Sequence, residues 1–275
     1  DISINIRLFA DDCVLYSEIT CKQDQIILQS DLFRIENWCK TLQMSLNVPK
    51  CKLMSFSRRA CPLFHNYTLT GSSLQSTKEY KYLGIHITNN LSWTVHVYKV
   101  IASASRSLGY LQRTMKFAPS DLKLLAYKTL IRPKLEYAAP IWDPHQRYLI
   151  DNIEAVRNRA IRFAFSDFSS YTSVTNLKSR ASLPPLNNRR KLARLALFHR
   201  LHFSLSPNSY VTPKSHVYTR TKNEHQVSYP RPRTNTFAQF FFVRSAKDWN
   251  NLPAYVVQTK DLDQFKSLLT TPGIV

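Results

Sequence analysis

An α+β chain is predicted, with its strands confined to residues 1–88 and amphipathic helices thereafter. Three observations carry this. Two short β-prone runs flank the adjacent pair Asp11-Asp12 near the start. Beyond Asn89-Asn90, apolar residues recur at alternating spacings of four and three, which marks one face of an α-helix. The positive charge gathers in that helical part: from Lys99 to Arg200 there are 19 Lys and Arg against 6 Asp and Glu, an excess of 13.

The opening stretch Arg7-Leu8-Phe9-Ala10-Asp11-Asp12-Cys13-Val14-Leu15-Tyr16 would put both carboxylates at the tip of a hairpin. Side by side, they repel unless water or a divalent cation screens them. Hard oxygen ligands suit Mg²⁺, which takes one or two protein carboxylates and leaves its remaining positions to water and phosphate.

Residues 22–45 read as an amphipathic helix, with Leu28, Leu32, Ile35, Cys39 and Leu42 on one face and Gln29, Arg34 and Lys40 opposite. Asn47 and Pro49 are expected to stop it. Leu53–Phe56 reads as a strand able to join the aspartate hairpin's sheet. The runs 67–69 and 82–87 are strand-like, with Gly71-Ser72-Ser73 as turn material.

In the helical part, Val97, Ile101, Ala104, Leu108 and Leu111 define the first helix. Ser120 is a candidate N-cap for the next, which Pro133 should bend or end. A helix over 148–165 is expected to bury Leu149, Ile153, Val156, Ala160 and Phe163 and to expose Arg157, Arg159 and Arg162. Another, over 188–203, carries Arg189, Arg190, Lys191, Arg194 and Arg200. Residues 204–235, rich in Ser, Thr, Pro and Asn, read as a flexible linker, and 236–275 as helices folding back on the helical part.

Composition narrows the function classes. A net charge of +20 and a pI near 9.9 point to a polyanionic partner, nucleic acid before membrane. No run of 18 apolar residues is present, and the acidic, polar N-terminus is unlike a secretion signal. An intracellular protein of the nucleus or cytoplasm is expected. The five cysteines include no Cys-x-x-Cys pair, so neither a disulfide framework nor a zinc site is expected.

Phe9-Ala10-Asp11-Asp12 resembles the catalytic box of reverse transcriptases, in the form used by non-LTR retrotransposons (LINE-type, jockey-like elements). Trp38-Cys39, Leu46-Asn47 and Lys50-Cys51 resemble the next palm motif, and Tyr82-Leu83-Gly84-Ile85 the primer-grip hairpin. Leu91-Ser92-Trp93 with His96 resembles the thumb entry. Ile131-Arg132-Pro133, Tyr137–Trp142, Arg189-Arg190 and Trp249-Asn250-Asn251-Leu252-Pro253 resemble the region that such elements carry after the thumb.

The resemblance implies half a polymerase palm over 1–88, a thumb helix over 89–116, a basic helical region over 117–203, the linker and a C-terminal helical segment. It implies RNA-directed DNA synthesis by two Mg²⁺ (or Mn²⁺) ions, with Asp11 and Asp12 as metal ligands. Lys50 would neutralise or protonate the pyrophosphate, and Tyr82, Leu83 and Gly84 would hold the primer end. Lys99, Arg106, Arg113, Arg157, Arg162, Arg189 and Arg190 are the candidate nucleic-acid contacts. The partners would be an RNA template, a DNA primer or target DNA, and dNTP.

In this family the fingers and the other catalytic aspartate lie upstream of the Asp-Asp box, so the chain is expected to be a C-terminal fragment, inactive alone and in need of the missing N-terminal polymerase half. Two other readings stand beside it: a non-catalytic basic nucleic-acid-binding module, and a non-functional relic of a mobile element.

Overall fold

A computed structural model describes residues 2–57, 59, 63–169, 171–204, 211–214, 225–271 and 274. The chain divides into two compact units, Asp1–Ser92 and Trp93–Val275.

The first unit opens with an antiparallel hairpin of β1 (Asn5–Phe9) and β2 (Asp12–Tyr16), in register from Asn5↔Tyr16 to Phe9↔Asp12. It continues into α1 (Lys22–Thr41), whose start is fixed by Asp24. One oxygen of that carboxylate accepts from the Thr20 hydroxyl (2.6 Å), the Thr20 N–H (2.7 Å) and the Cys21 N–H (3.0 Å). These bonds, the hydroxyl's first, hold the Asp24 carboxyl down to about 2.

Helix α1 ends sooner than the expected stop at Asn47 and Pro49. Gln43 takes a left-handed φ of 57°, and the N–H groups of Gln43 and Met44 return to the Lys40 and Cys39 carbonyls. This is a Schellman ending, with Gln43 where glycine is usual. Pro49 instead lies in a short 3₁₀ turn, Val48–Lys50. On the expected apolar face Leu32 and Cys39 are buried and Leu28 and Ile35 half-buried, whereas Leu42 is exposed.

Polar side chains of α1 clip the rest of the unit to it. The buried Asp31 accepts from the N–H groups of Ser3 (2.8 Å) and Ile4 (3.0 Å), tying down the lead into β1. Gln29 makes a reciprocal pair with the Thr68 backbone (both 2.9 Å), and Glu36 accepts from the Thr70 N–H (2.9 Å). Backbone donors and acceptors at a sheet edge are thereby satisfied by side chains.

Five strand pieces follow before the last: β3 (Lys52–Leu53), β4 (Thr68–Leu69), β5 (Ser72–Ser73), β6 (Gln75–Ser76) and β7 (Glu79–Tyr82), with β8 (Ile85–Thr88) closing the unit. Contrary to expectation, β3 does not join the aspartate hairpin; it pairs in parallel with β6. The expected strand over 82–87 is interrupted by a turn: β7 and β8 are antiparallel around Leu83-Gly84, whose φ values of 46° and 82° suit a type I′ turn. Thr70-Gly71 repeats the device between β4 and β5, with φ of 49° and 76°.

The second unit is mostly helical. Its α2 (Thr94–Thr114) buries Val97, Ala104, Leu108 and Leu111 of the expected stripe, with Ile101 half-buried. In α3 (Ser120–Ala126) Pro119 occupies the N-cap and Ser120 the first helical position, so Ser120 is not the cap. A π-helical turn, Tyr127–Ile131, joins α3 to α4 (Arg132–Glu136). Pro133 therefore lies just past the π turn in a helical run that continues unbroken from Ser120 to Glu136, so it does not end it.

Then come α5 (Ala139–Trp142), α6 (Arg147–Ala164), an unforeseen α7 (Val174–Ala181) and α8 (Leu186–His202). Leu149, Ile153, Val156, Ala160 and Phe163 of α6 are all buried, in one core with α2, Ile131, Leu135 and Trp142.

A second core gathers Leu195 and Phe198 of α8 with the C-terminal elements. These are β9 (Thr212–Pro213) paired with β10 (Val227–Ser228), then α9 (Asn235–Ala238), α10 (Phe241–Asn250), α11 (Ala254–Val257) and α12 (Leu262–Leu269). Of the expected flexible linker, residues 205–210 and 215–224 lie outside the described residues. Its described part is anchored: Asn250 bonds both backbone groups of Val227 (2.9 and 2.8 Å), and the Trp249 indole donates to the His225 carbonyl (2.8 Å). His202 is wedged among Phe203, His225 and Trp249, and burial pushes its imidazole down to about 4. Among the described residues, no helix is long and apolar enough to cross a membrane.

Candidate functional site

The β1–β2 loop has two residues, Ala10 and Asp11, closed by the Phe9↔Asp12 pair. Ala10 alone of the two has a positive φ, 52°, the sign pattern of a type II′ turn, where glycine is the ordinary choice. Holding an L-residue there costs about 1–2 kcal/mol, and such local strain is characteristic of functional turns. Ala10→Gly should therefore stabilise the hairpin by about 0.5–1 kcal/mol once glycine's extra chain entropy is subtracted. Amide hydrogen exchange in β1 and β2 should slow about two- to fivefold; unchanged or faster exchange would count against strain at Ala10.

Asp11 and Asp12 are both exposed at this tip, and among the described residues neither makes an ion pair or side-chain hydrogen bond. Phe9 and Leu8 beside them are also exposed, at 64% and 66%. Two unpaired carboxylates offer the hard oxygen donors that a divalent cation takes. Among the described residues no group of three or more His, Cys, Asp or Glu stands together as a metal site, so the pair fits as part of a ligand set.

Other expected pieces converge on this hairpin. The Cys13 thiol on β2 is pushed up by burial first, and then by the nearby thiols of Cys39 and Cys51. Cys39 near the end of α1 and Cys51, which follows the turn carrying Lys50, thus lie within electrostatic range of β2. The Tyr80 hydroxyl on β7 reaches the Lys50 carbonyl at 3.4 Å, which ties the second hairpin to the same turn. Lys50 itself is exposed. At the second hairpin's tip Tyr82 and Leu83 are half-buried and Gly84 is exposed. The structure thus gathers Asp12, Lys50 and the Tyr82–Gly84 hairpin in one unit, through neighbours rather than by direct contact.

In the second unit Lys99, Arg106 and Arg113 are exposed and lie about two turns apart on α2, opposite its buried stripe. Tyr110, 60% exposed, shares that face, and Tyr98, 48% exposed, lies on its flank. Two further cations lean onto α2 from other helices: Lys134 donates to the Ser107 hydroxyl (2.6 Å) and Arg159 to that of Ser105 (3.0 Å). Tyr98, Tyr110, Lys134 and Arg159 were not among the site residues expected from the sequence. Tyr110 was legible, since it falls beside the helical arc of the three cations.

The other four arginines are placed differently. Arg157 is 3% exposed, paired with Glu154 (3.1 Å), and donates to the Pro184 carbonyl (2.6 Å). Arg190 is fully buried against Asp143 (2.9 Å). Neither presents its charge to solvent, so the expectation that they contact nucleic acid is corrected here by burial. Arg162 is half-buried, and spends its donors on the carbonyls of Asp167, Ser169 and Thr172. Arg189 grips Glu136 through two nitrogens, and that bond raises its affinity for its proton. These arginines brace loops and helix ends.

Comparison with known proteins comes to the same place. Residues 1–87 match the family model described as reverse transcriptase (RNA-dependent DNA polymerase). The chain is similar to an RNA-directed DNA polymerase from mobile element jockey of Drosophila funebris, with 24% identity over 80% of this chain and 25% of that protein. It is likewise similar to the protein of the same description from Drosophila melanogaster, at 22% identity over 82% of this chain and 26% of that protein. The chain thus spans about a quarter of the length of these curated relatives. No solved structure matches.

Proposed function

We propose that this chain, whose first 87 residues are reverse transcriptase sequence of the jockey-like, LINE-type kind, supplies an RNA-directed DNA polymerase with its aspartate hairpin and a nucleic-acid grip. The observation that carries the reading is the exposed, unpaired Asp11-Asp12 pair on a strained two-residue turn, inside the matched stretch.

Asp11 and Asp12 would hold Mg²⁺ or Mn²⁺ in company with a further carboxylate. When bound, a pair of such ions supplies charge stabilisation to the attacking and leaving oxygens of nucleotidyl transfer. The protein's own residues do the rest. Lys50, on the turn beside β2, faces the developing charge of the pyrophosphate. The Tyr82–Gly84 turn holds the primer end, and its glycine lets the nucleic acid approach the backbone closely. Lys99, Arg106 and Arg113 follow a phosphate backbone, while Tyr98 and Tyr110 offer rings on which bases can stack. RNA template, DNA primer or target DNA, and dNTP are the partners this reading requires. The thumb-like role of α2 rests on its basic face and its place after the second hairpin.

A second reading, a binding module without chemistry, draws on the absence of a three-ligand metal group among the described residues. Both readings require the α2 face, so binding is the first thing to test. Fluorescence anisotropy with a labelled RNA–DNA duplex should show affinity that falls steeply as salt rises. The triple variant Lys99→Gln, Arg106→Gln, Arg113→Gln should weaken binding at least tenfold, and should flatten the log–log salt slope by about 2–3. An unchanged slope would remove α2 from the grip.

A further inference from the structure

The end of α5, α8 and α10 meet around a buried cluster of charge. Asp143, at the C-terminus of α5, accepts through Oδ1 from Arg190 Nε (2.9 Å) and through Oδ2 from Arg194 Nη1 (2.6 Å). The same Oδ2 lies 3.3 Å from Arg244 Nη2, and the Asp143 carbonyl accepts from Arg244 Nη1 (2.9 Å). Asp248 takes Arg194 Nη2. Arg190 and Arg194 are one turn apart on α8, and Arg244 and Asp248 one turn apart on α10.

Two imbalances stand out. Three guanidiniums face two carboxylates, a surplus of one positive charge, and arginine does not shed its proton. In addition, Nη1 and Nη2 of Arg190 and Nε of Arg194 are buried with no acceptor, although Arg190 is 0% and Arg194 2% exposed. Buried donors of this kind are satisfied in native proteins by ordered water or by an ion. His145 adds no further positive charge to the surplus, since burial, and then Arg244, push its imidazole towards the neutral form.

We propose that the Arg190 side of this cluster binds a small monovalent anion of the halide class, chloride under ordinary conditions. One such anion cancels the surplus charge, and its spherical acceptor surface can take N–H groups arriving from both arginines. The full burial of Arg190 excludes the phosphate of a nucleic-acid backbone, so this site is separate from the exposed face of α2. Its effect is to lock α5, α8 and α10 together.

The test is calorimetric unfolding of the whole chain at fixed ionic strength, with chloride replacing gluconate. The midpoint should rise and then saturate, by about 5 °C or more, and bromide should reproduce the curve. Crystals soaked in bromide should show an anomalous peak within hydrogen-bond reach of Arg190 Nη. In Arg190→Met, which removes the surplus charge and both orphaned Nη groups, the saturable rise should disappear. If that variant does not fold, the wild-type saturation curve and the bromide peak decide the matter. An anion-independent or non-saturating midpoint with no peak at Arg190 overturns the proposal in favour of water, as does an equal rise in Arg190→Met.

Discussion

Exchanging Asp11 for Asn should lower nucleotide incorporation on the order of 10³-fold in a polymerase that joins this chain to the rest of the reverse transcriptase sequence its relatives have. Asparagine keeps the shape and one oxygen but loses the charge that draws a divalent cation. The expected loss is one of chemistry and not of fold. Asp11 is exposed and makes no ion pair or side-chain hydrogen bond among the described residues, and removing one of two adjacent like charges at an exposed turn relieves repulsion. The unfolding midpoint of Asp11→Asn should thus match or slightly exceed that of the parent. Radiolabelled dNTP incorporation beside a denaturation curve separates the two. Activity within tenfold of the parent would dismiss Asp11 as a metal ligand, and a collapsed midpoint would mean the turn is structural.

Asp143→Asn should destabilise the second unit by about 3–5 kcal/mol, measured as a shift in the urea midpoint at an unchanged slope. The carboxylate of Asp143 is the acceptor on which Arg190, Arg194 and Arg244 converge. Neutralised, it leaves three buried or half-buried guanidiniums with Asp248 alone. Removing a cation acts in the opposite sense, since Arg190→Met leaves two charges of each sign. A loss below about 1 kcal/mol for Asp143→Asn would show that water already screens the cluster.

Periodicity was legible wherever one apolar stripe met one core. The stripe of α6 is buried residue for residue as its spacing implies, and that of α2 at every position but the half-buried Ile101. The Asp-Asp hairpin was equally plain, because two β-prone runs left a loop of only two residues. The fate of the arginines was not legible. A helix pattern treats every cation off the stripe as solvated, yet Arg157 and Arg190 find carboxylates from their own helix and from α5. The pairing of β3 with β6 escaped for another reason: two-residue strands carry no alternation to read. The end of α1 depends on Gln43 in a glycine's conformation, and the π turn before Pro133 on a bond pattern that no composition announces.

The tryptophans are distributed in a way that gives the molecule two built-in optical signals. Trp38, on α1, is the sole indole of the first unit and is 53% exposed, whereas in the second Trp142 and Trp249 are wholly enclosed and Trp93 is half-buried. An indole in water emits at longer wavelength than one in apolar packing, and a soluble quencher reaches only the former. Once Trp93 is replaced by Phe, emission can therefore be split into a quenchable red component from the aspartate-bearing unit and a shielded blue one from the helical unit. Following both through denaturant would reveal whether the two halves melt together or one after the other, with no label added to either.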